Sequence, residues 1–247
     1  MIKRMRPGKM LKVRDSNMAS SKNSKGGLVS IVIPTLNEEE NIGSLLKEVE
    51  NQLSSRDHEI IVVDGHSSDR TVQIAKRLGA RILYDDFGKG SALIKGLGSA
   101  RGGVLVSMDA DLSNEPKELR LLIDAIDIGY DLCMGSRFLV GGGSEDIPLI
   151  RVLGNKFFVT LVNLIFHANY TDMCYGYRSF RKGVPQRLGL REKGFGIETE
   201  ININAIKKGF RVVEVPSTEK RRAAGEGKLR TFRDGWVILS TILRNVF

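Results

Sequence analysis

The residues best equipped for chemistry are Asp109 and Asp111, two carboxylates separated by Ala110 at the end of Val104-Leu105-Val106-Ser107-Met108. Four of those five preceding residues are apolar, as in a buried parallel strand. The strand therefore delivers its acids where it stops. In an open α/β sheet, ligands sit beyond the carboxyl ends of the strands, so the pair would stand at the mouth of a crevice. Such a pair suits a hard divalent cation, Mg2+ or Mn2+, whose other ligands are often substrate phosphate oxygens. Asp-X-Asp alone is common by chance and reads equally as a polar loop with solvated acids. Its meaning depends on the elements around it.

Those elements alternate. Residues 28–33 form a short apolar run ended by Pro34, and Asn37 with Glu40 reads as an N-cap and capping box. Ile42, Leu45, Leu46, Val49 and Leu53 follow at helical spacing. Residues 59–64 are a second strand, and Ser67-Ser68-Asp69 opens a helix that Gly79 closes. A third strand at 80–84 leads through a turn at 85–90 into a helix reaching Ala100. After the acid-bearing strand come a helix over 116–128 and a strand over 131–135. This order predicts a parallel sheet covered on both faces.

The second half is less regular. A glycine-rich loop at 136–146 precedes an apolar helix over 148–167, where Lys156, Thr160, Asn163 and His167 fall on one narrow stripe. Residues 171–180 read as extended, 197–208 as helix, 210–215 as strand, 217–230 as a basic loop and 231–247 as a final amphipathic helix.

Composition bounds the class. The chain has 247 residues, 41% hydrophobic and 27% charged, enough for one substantial soluble domain. No uncharged apolar run approaches the ~18–20 residues that span a bilayer, and no signal peptide is apparent. Cys133 and Cys174 lack metal or redox spacing and read as reduced thiols of a cytoplasmic protein. Of the formal charge of +9, residues 1–27 hold eight Lys or Arg against one Asp, leaving +2 for the rest. The leader reads as disordered, with attraction to anionic lipid, about 1 kcal/mol per basic residue, as its functional alternative. With 6% aromatics and no basic face on the domain, nucleic acid is not expected as a partner.

Five features converge on one edge of the expected sheet: Pro34-Thr35-Leu36-Asn37-Glu38, Asp64, Gly88-Lys89-Gly90, Asp109/Asp111 and Gly135-Ser136-Arg137. Acids for a metal beside bases for phosphate are what a nucleoside diphosphate requires. This ordered string, with Arg151 after Ile147-Pro148 and Arg222-Ala-Ala-Gly225-Glu226-Gly227-Lys228, resembles the family 2 glycosyltransferases of the GT-A fold. Within them it is most similar to the dolichyl-phosphate mannose synthase and polyprenyl-phosphate glycosyltransferase branch, over residues 28–235.

The resemblance implies an α/β fold with a Rossmann-like, mostly parallel central sheet and helices on both faces. The basic leader 1–27 would precede a single domain at 28–230, with an amphipathic helix at 231–247. It implies an inverting hexosyltransferase that moves a sugar from a GDP- or UDP-linked donor to a polyprenyl or dolichyl phosphate, with Mg2+ or Mn2+. The alternative is a soluble family 2 enzyme acting on a small-molecule or glycan hydroxyl. Pro34, Leu36, Glu38, Asp64, Lys89, Asp109, Ala110 and Asp111 would bind the nucleotide, with Asp109 and Asp111 on the metal. Arg137, Arg151, Arg222 and Lys228 would join the two acids in catalysis. Departures are Gly65-His66 where many relatives carry a second aspartate, Ser113 where a glutamine can stand, and Gly227 in place of a serine. A hydroxyl acceptor would need a base, for which Asp172, Glu198 and Glu200 are candidates. The chain is expected on the cytoplasmic membrane face as a peripheral protein, as a homodimer or with a membrane partner.

Overall fold

Ile31-Val32-Ile33, Ile60-Ile61-Val62-Val63 and Val104-Leu105-Val106 are buried without interruption, as strands covered on both faces must be. The computed structural model describes residues 27–145, 147–224 and 231–246. The runs belong to β1 (Val29–Thr35), β2 (His58–Asp64) and β4 (Val104–Ser107), which with β3 (Arg81–Tyr84), β5 (Leu132–Ser136), β7 (Arg178–Arg181) and β8 (Val212–Pro216) make a seven-stranded sheet. Its order is β3-β2-β1-β4-β7-β5-β8. The pairs are parallel except those of β7, which runs antiparallel to both β4 and β5. A second, two-stranded piece joins β6 (Gly143–Ser144) to β9 (Thr218–Glu219) in parallel.

Alternation along the strands divides the core in two. Ile31, Ile33, Val62 and Val106 face one layer with α1 (Ile42–Gln52), α2 (Thr71–Arg77) and α4 (Leu119–Asp127). Val32, Ile61, Val63 and Leu105 face the other, with α3 (Lys89–Ser99), α6 (Val184–Leu188), α7 (Ile197–Lys207), and buried residues of α5 (Leu149–Phe166) and α8 (Thr231–Val246). The chain runs from β1 outward to β3, then returns to place β4 on the other flank of β1. That reversal opens a crevice above the carboxyl ends of β1 and β4.

Four expectations change. Asn37 is no N-cap: it takes a left-handed backbone (φ +50°) and its side chain accepts the Ser68 N–H (2.8 Å), while α1 starts at Ile42. The glycine-rich loop carries β6, and part of the 217–230 loop forms β9. Within 171–180 only the end is paired, in β7, which separates β4 from β5. The cause is Arg178, whose buried guanidinium donates to Tyr175 O, Glu198 O and Asn202 Oδ1, so a charged residue anchors a central strand that hydrophobic periodicity would not place there. The expectations for residues 1–26 and for Lys228 lie outside the described residues.

Among the described residues, one helix is long and apolar enough to cross a membrane, the 18-residue α5. Arg151 and Lys156 interrupt its apolar run, which is why counting uncharged residues passes over it.

Candidate active site

Beyond β4 the backbone is folded tightly around its own acids. Asn114 Oδ1 accepts the Asp109 N–H (2.7 Å). Leu112 is left-handed (φ +62°), an unusual state for a γ-branched side chain. It turns Ser113 back so that its N–H and hydroxyl donate to Asp111 Oδ1 at 3.0 and 2.6 Å. Ser113 therefore steers Asp111.

Each acid also meets a protein cation. Lys89 Nζ lies 2.8 Å from Asp109 Oδ1 and 3.1 Å from Glu198 Oε1. Arg222 Nη1 lies 3.2 Å from Asp111 Oδ2, and its Nη2 donates to Glu38 Oε1. Burial works against the charge on Lys89, but Asp109 and Glu198 outweigh it and hold the ammonium well above the ordinary lysine range. The glycines around Lys89 have a steric reason. Gly88 is left-handed (φ +114°), and a Cβ on Gly90 would come within 2.4 Å of Glu192 O. The Gly90 and Ser91 N–H groups in the first turn of α3 are not held open for an anion, since both donate to Lys193 O.

These groups line a cavity of about 890 Å3. One part of its wall is Pro34, Leu36, Gly65, Asp85 and Asp86, at the ends of β1 to β3. Glu38, Lys89, Asp109, Ala110, Asp111 and Arg222 form another part. Arg137 and, from α5, Ile150, Arg151, Asn155 and Phe158 contribute too, with Arg233 and Ile238 from α8. Asp64 is not on this wall. It is fully buried and its carboxylate accepts the Ser67 N–H (2.9 Å) and hydroxyl.

Arg137 is held rather than loose. Nε and Nη2 donate to Asp172 at 2.7 and 2.9 Å, and Nη1 donates to Glu219 at 3.0 Å. Its guanidinium also lies 5.0 Å from the centre of the Tyr175 ring, within cation–π range. The three carboxylates considered as bases are all engaged: Asp172 by Arg137, Glu198 by Lys89, and Glu200 by the Arg191 and Glu192 N–H groups, both at 2.9 Å. Sequence reasoning passed over Glu219, which also accepts from Ser144 (2.7 Å), and Asn114. Asn114 is three residues past Asp111 and was legible as a turn residue; nothing in the local sequence around Glu219 pairs it with Arg137. Cys133 and Cys174 are free thiols, each pushed up to about 12 by burial.

The donor set fits a divalent cation of the kind that keeps substrate and water ligands. Asp109 and Asp111 supply hard oxygen, and the cluster of Asp109, Asp111, Glu38 and Glu198 with Lys89 and Arg222 has a formal surplus of two negative charges. Among the described residues no group of three or more Asp, Glu, His or Cys side chains is placed to hold a metal ion, so a cation on Asp109 and Asp111 would need its other ligands from substrate and water.

A mostly parallel sheet with paired acids over its switch point is a GT-A-like fold. Similar solved structures have this fold, among them the glucosyl-3-phosphoglycerate synthase of Mycobacterium tuberculosis in complex with Mn2+, UDP and glucosyl-3-phosphoglycerate. That match has a TM-score of 0.72 at 21% identity and covers 90% of this chain and 80% of that one. The glycosyl transferase family 2 model matches residues 30–189, and the chain belongs to that family. It is 39% identical over 210 residues to the dolichol-phosphate mannosyltransferase of Pyrococcus furiosus, covering 82% of this chain and 59% of that relative. It is 34% identical over 213 residues to the polyprenol monophosphomannose synthase of Mycolicibacterium smegmatis, covering 81% and 80%. The chain thus spans under two thirds of the Pyrococcus protein.

Proposed function

We propose that this chain moves a hexose, with inversion, from a GDP- or UDP-linked donor to a polyprenyl or dolichyl phosphate at a membrane surface. The observation that carries this reading is that Asp172, Glu198 and Glu200, the carboxylates proposed as bases, are each held by a partner within the protein, and that Lys89, Arg137, Arg151 and Arg222, the first two and the last ion-paired to carboxylates, line the cavity. A hydroxyl acceptor needs a base to take its proton. A phosphate monoester is already ionised near neutral pH, so its oxygen attacks the anomeric carbon directly. The bond from that carbon to the donor's diphosphate breaks, and the electron pair leaves with the nucleoside diphosphate. Positioning then carries much of the barrier reduction. A divalent cation held by Asp109 and Asp111 would neutralise charge growing on the leaving diphosphate.

Pro34, Leu36 and Gly65 form the wall assigned to the nucleoside, Lys89 and Arg222 face the diphosphate, and Arg137 and Arg151 the acceptor phosphate. Asp64 acts through the Ser67 turn rather than by touching the base. The names of the Pyrococcus and Mycolicibacterium relatives support a lipid-phosphate acceptor, and complexes of similar folds with Mn2+ or Mg2+ and UDP support the metal.

The lipid surface is assigned to α5 and α8. Leu149, Leu153, Phe157 and Leu164 of α5 and Phe232, Trp236 and Leu243 of α8 are exposed, and Lys156, Arg233 and Arg244 stand among them in the chain. Such helices lie in the headgroup region and are drawn to anionic lipid. That α5 also carries Arg151, Asn155 and Phe158 of the cavity wall, and packs on α7 and α8, supports a helix lying along the cytoplasmic face rather than crossing it.

The test is to incubate the full chain and Mg2+ or Mn2+ with a panel of nucleotide sugars, with and without polyprenyl phosphate. Nucleoside diphosphate released only with the lipid phosphate is the expected result. Release with soluble hydroxyl acceptors alone would favour the alternative family 2 reading.

A further inference from the structure

The two acids of the site are built alike. Asp109 shares Lys89 with Glu198, and Asp111 shares Arg222 with Glu38. In each trio one cation lies between Asp109 or Asp111 and a second carboxylate that is itself buried: Glu198 and Glu38 are 5% and 7% exposed, Glu38 also forming part of the cavity wall. Lys89 projects from the first turn of α3. Arg222 stands in the segment after β9, tied down by its own Nε donating to Ala224 O (2.8 Å) and by the Asn41 amide donating to the same oxygen (3.2 Å).

This arrangement rests on the donor-and-metal reading above and takes it one step further. We infer that Lys89 and Arg222 are exchangeable counter-ions of Asp109 and Asp111, each retained by its glutamate, so that a divalent cation and a nucleoside diphosphate bind as a coupled pair. Without ligands, the two cations satisfy the acids and compete with a metal for the same oxygens. A diphosphate offers Lys89 and Arg222 a new anion. As they turn to it, Glu198 and Glu38 keep them in the site, and Asp109 and Asp111 are released for the metal. A divalent cation on Asp109 and Asp111 would in turn leave Lys89 and Arg222 to the diphosphate. The surplus of two negative charges in the six-residue cluster matches one divalent cation. Glu198 and Glu38 are thus positioning residues acting through their cations, and coupling of this kind must be reciprocal.

The test uses the full chain, Mn2+, and GDP or UDP as probes. Free Mn2+ is followed by its electron paramagnetic resonance signal, with Mn2+ held by nucleotide in solution measured separately and subtracted. In the native protein, saturating GDP or UDP should tighten Mn2+ binding by at least about tenfold. In Lys89→Met and Arg222→Met, nucleotide-free protein should bind Mn2+ more tightly than native, and the enhancement by nucleotide, which phosphate oxygens on the metal would still supply in part, should be smaller than in native protein. Arg222→Lys keeps a cation and should keep most of the enhancement. Glu198→Gln leaves Lys89 to Asp109 alone and should weaken nucleotide-free Mn2+ binding. Merely structural roles for the two cations would instead leave metal affinity in the Met variants unchanged or lower, and that result would overturn the inference. So would an equal enhancement in native protein and variants. Failure of the native protein to bind either nucleotide at any Mn2+ concentration would instead remove the donor reading itself.

Discussion

Arg137 and Asp172 are joined by a two-pronged ion pair, Nε to Oδ2 at 2.7 Å and Nη2 to Oδ1 at 2.9 Å, and the Arg137 N–H donates to the same carboxylate at 3.2 Å. Both residues are buried. The pair ties the end of β5 to the segment that enters β7. Asp172→Ala would leave a buried guanidinium with Glu219 as its one carboxylate partner, and should cost about 3–4 kcal/mol, the lower part of what breaking a buried pair costs. Urea unfolding measures it; an unchanged midpoint would show the pair to be energetically neutral.

Asp111→Ala removes one of the two acids at the end of β4 without opening the core, since its carboxylate contacts Ser113 and Arg222 at the cavity. Transfer should fall by about a thousandfold, the scale of losing preorganised stabilisation of a leaving group. The melting temperature should stay within a few degrees of native. Near-normal transfer would remove Asp111 from the metal site.

Gly90→Ala places a methyl 2.4 Å from Glu192 O and 2.9 Å from Gly194 O. Backbone must move, so the change should destabilise by about 1–3 kcal/mol and weaken nucleotide binding through the displaced Lys89. Gly98→Ala, on the same helix with nothing within 4 Å of the added carbon, is the control. It should be neutral or stabilise by up to about 1 kcal/mol. Equal effects at the two positions would refute the packing argument.

Glu59 gives the fold an acid-sensitive tie between β2, β1 and the turn before β4. Burial pushes its carboxyl up, but hydrogen bonds from the Ser30 hydroxyl and the Arg101 N–H and guanidinium outweigh that and hold it below the ordinary 4.5. A depressed carboxyl contributes stability that is present above the ordinary value and lost as pH falls through the folded one. Native protein should therefore lose stability below about pH 4.5, and Glu59→Gln should lose less of it there. Urea midpoints at pH 7 and pH 4 would show this as a smaller difference in the variant; equal differences would contradict it.

Trp236 is the chain's single tryptophan and is 69% exposed. If α8 rests in a lipid surface, its fluorescence should shift to shorter wavelength with vesicles containing anionic lipid, and the protein should float with them. Trp236→Glu with Phe157→Glu should abolish flotation while leaving nucleotide binding intact. Absence of both signals in native protein would remove the membrane assignment.

Much of this fold was legible because its signals are local. A buried run such as Ile60 to Val63, a stripe such as Ile42, Leu45, Leu46 and Val49, and a closing glycine such as Gly79 each act over a few residues. Their alternation then constrains the topology, since parallel strands with right-handed crossovers leave few arrangements. The acids follow from that: any side chain just past β4 must stand over the reversal in strand order. By itself, then, the sequence determined the sheet's parallel half and the residue types that stand at its carboxyl edge.

What only the tertiary structure decided is which of those charges face one another. Arg178 holds an antiparallel strand between β4 and β5 through partners at 175, 198 and 202. Glu198 reads as a free base until Lys89, more than a hundred residues earlier, is seen 3.1 Å away. Arg222 reaches Glu38 and Asp111 from the far end of the chain. The reason is physical: hydrophobic periodicity and turn chemistry are set by neighbours in sequence, whereas an ion pair is set by distance in space, and only the closed fold fixes that.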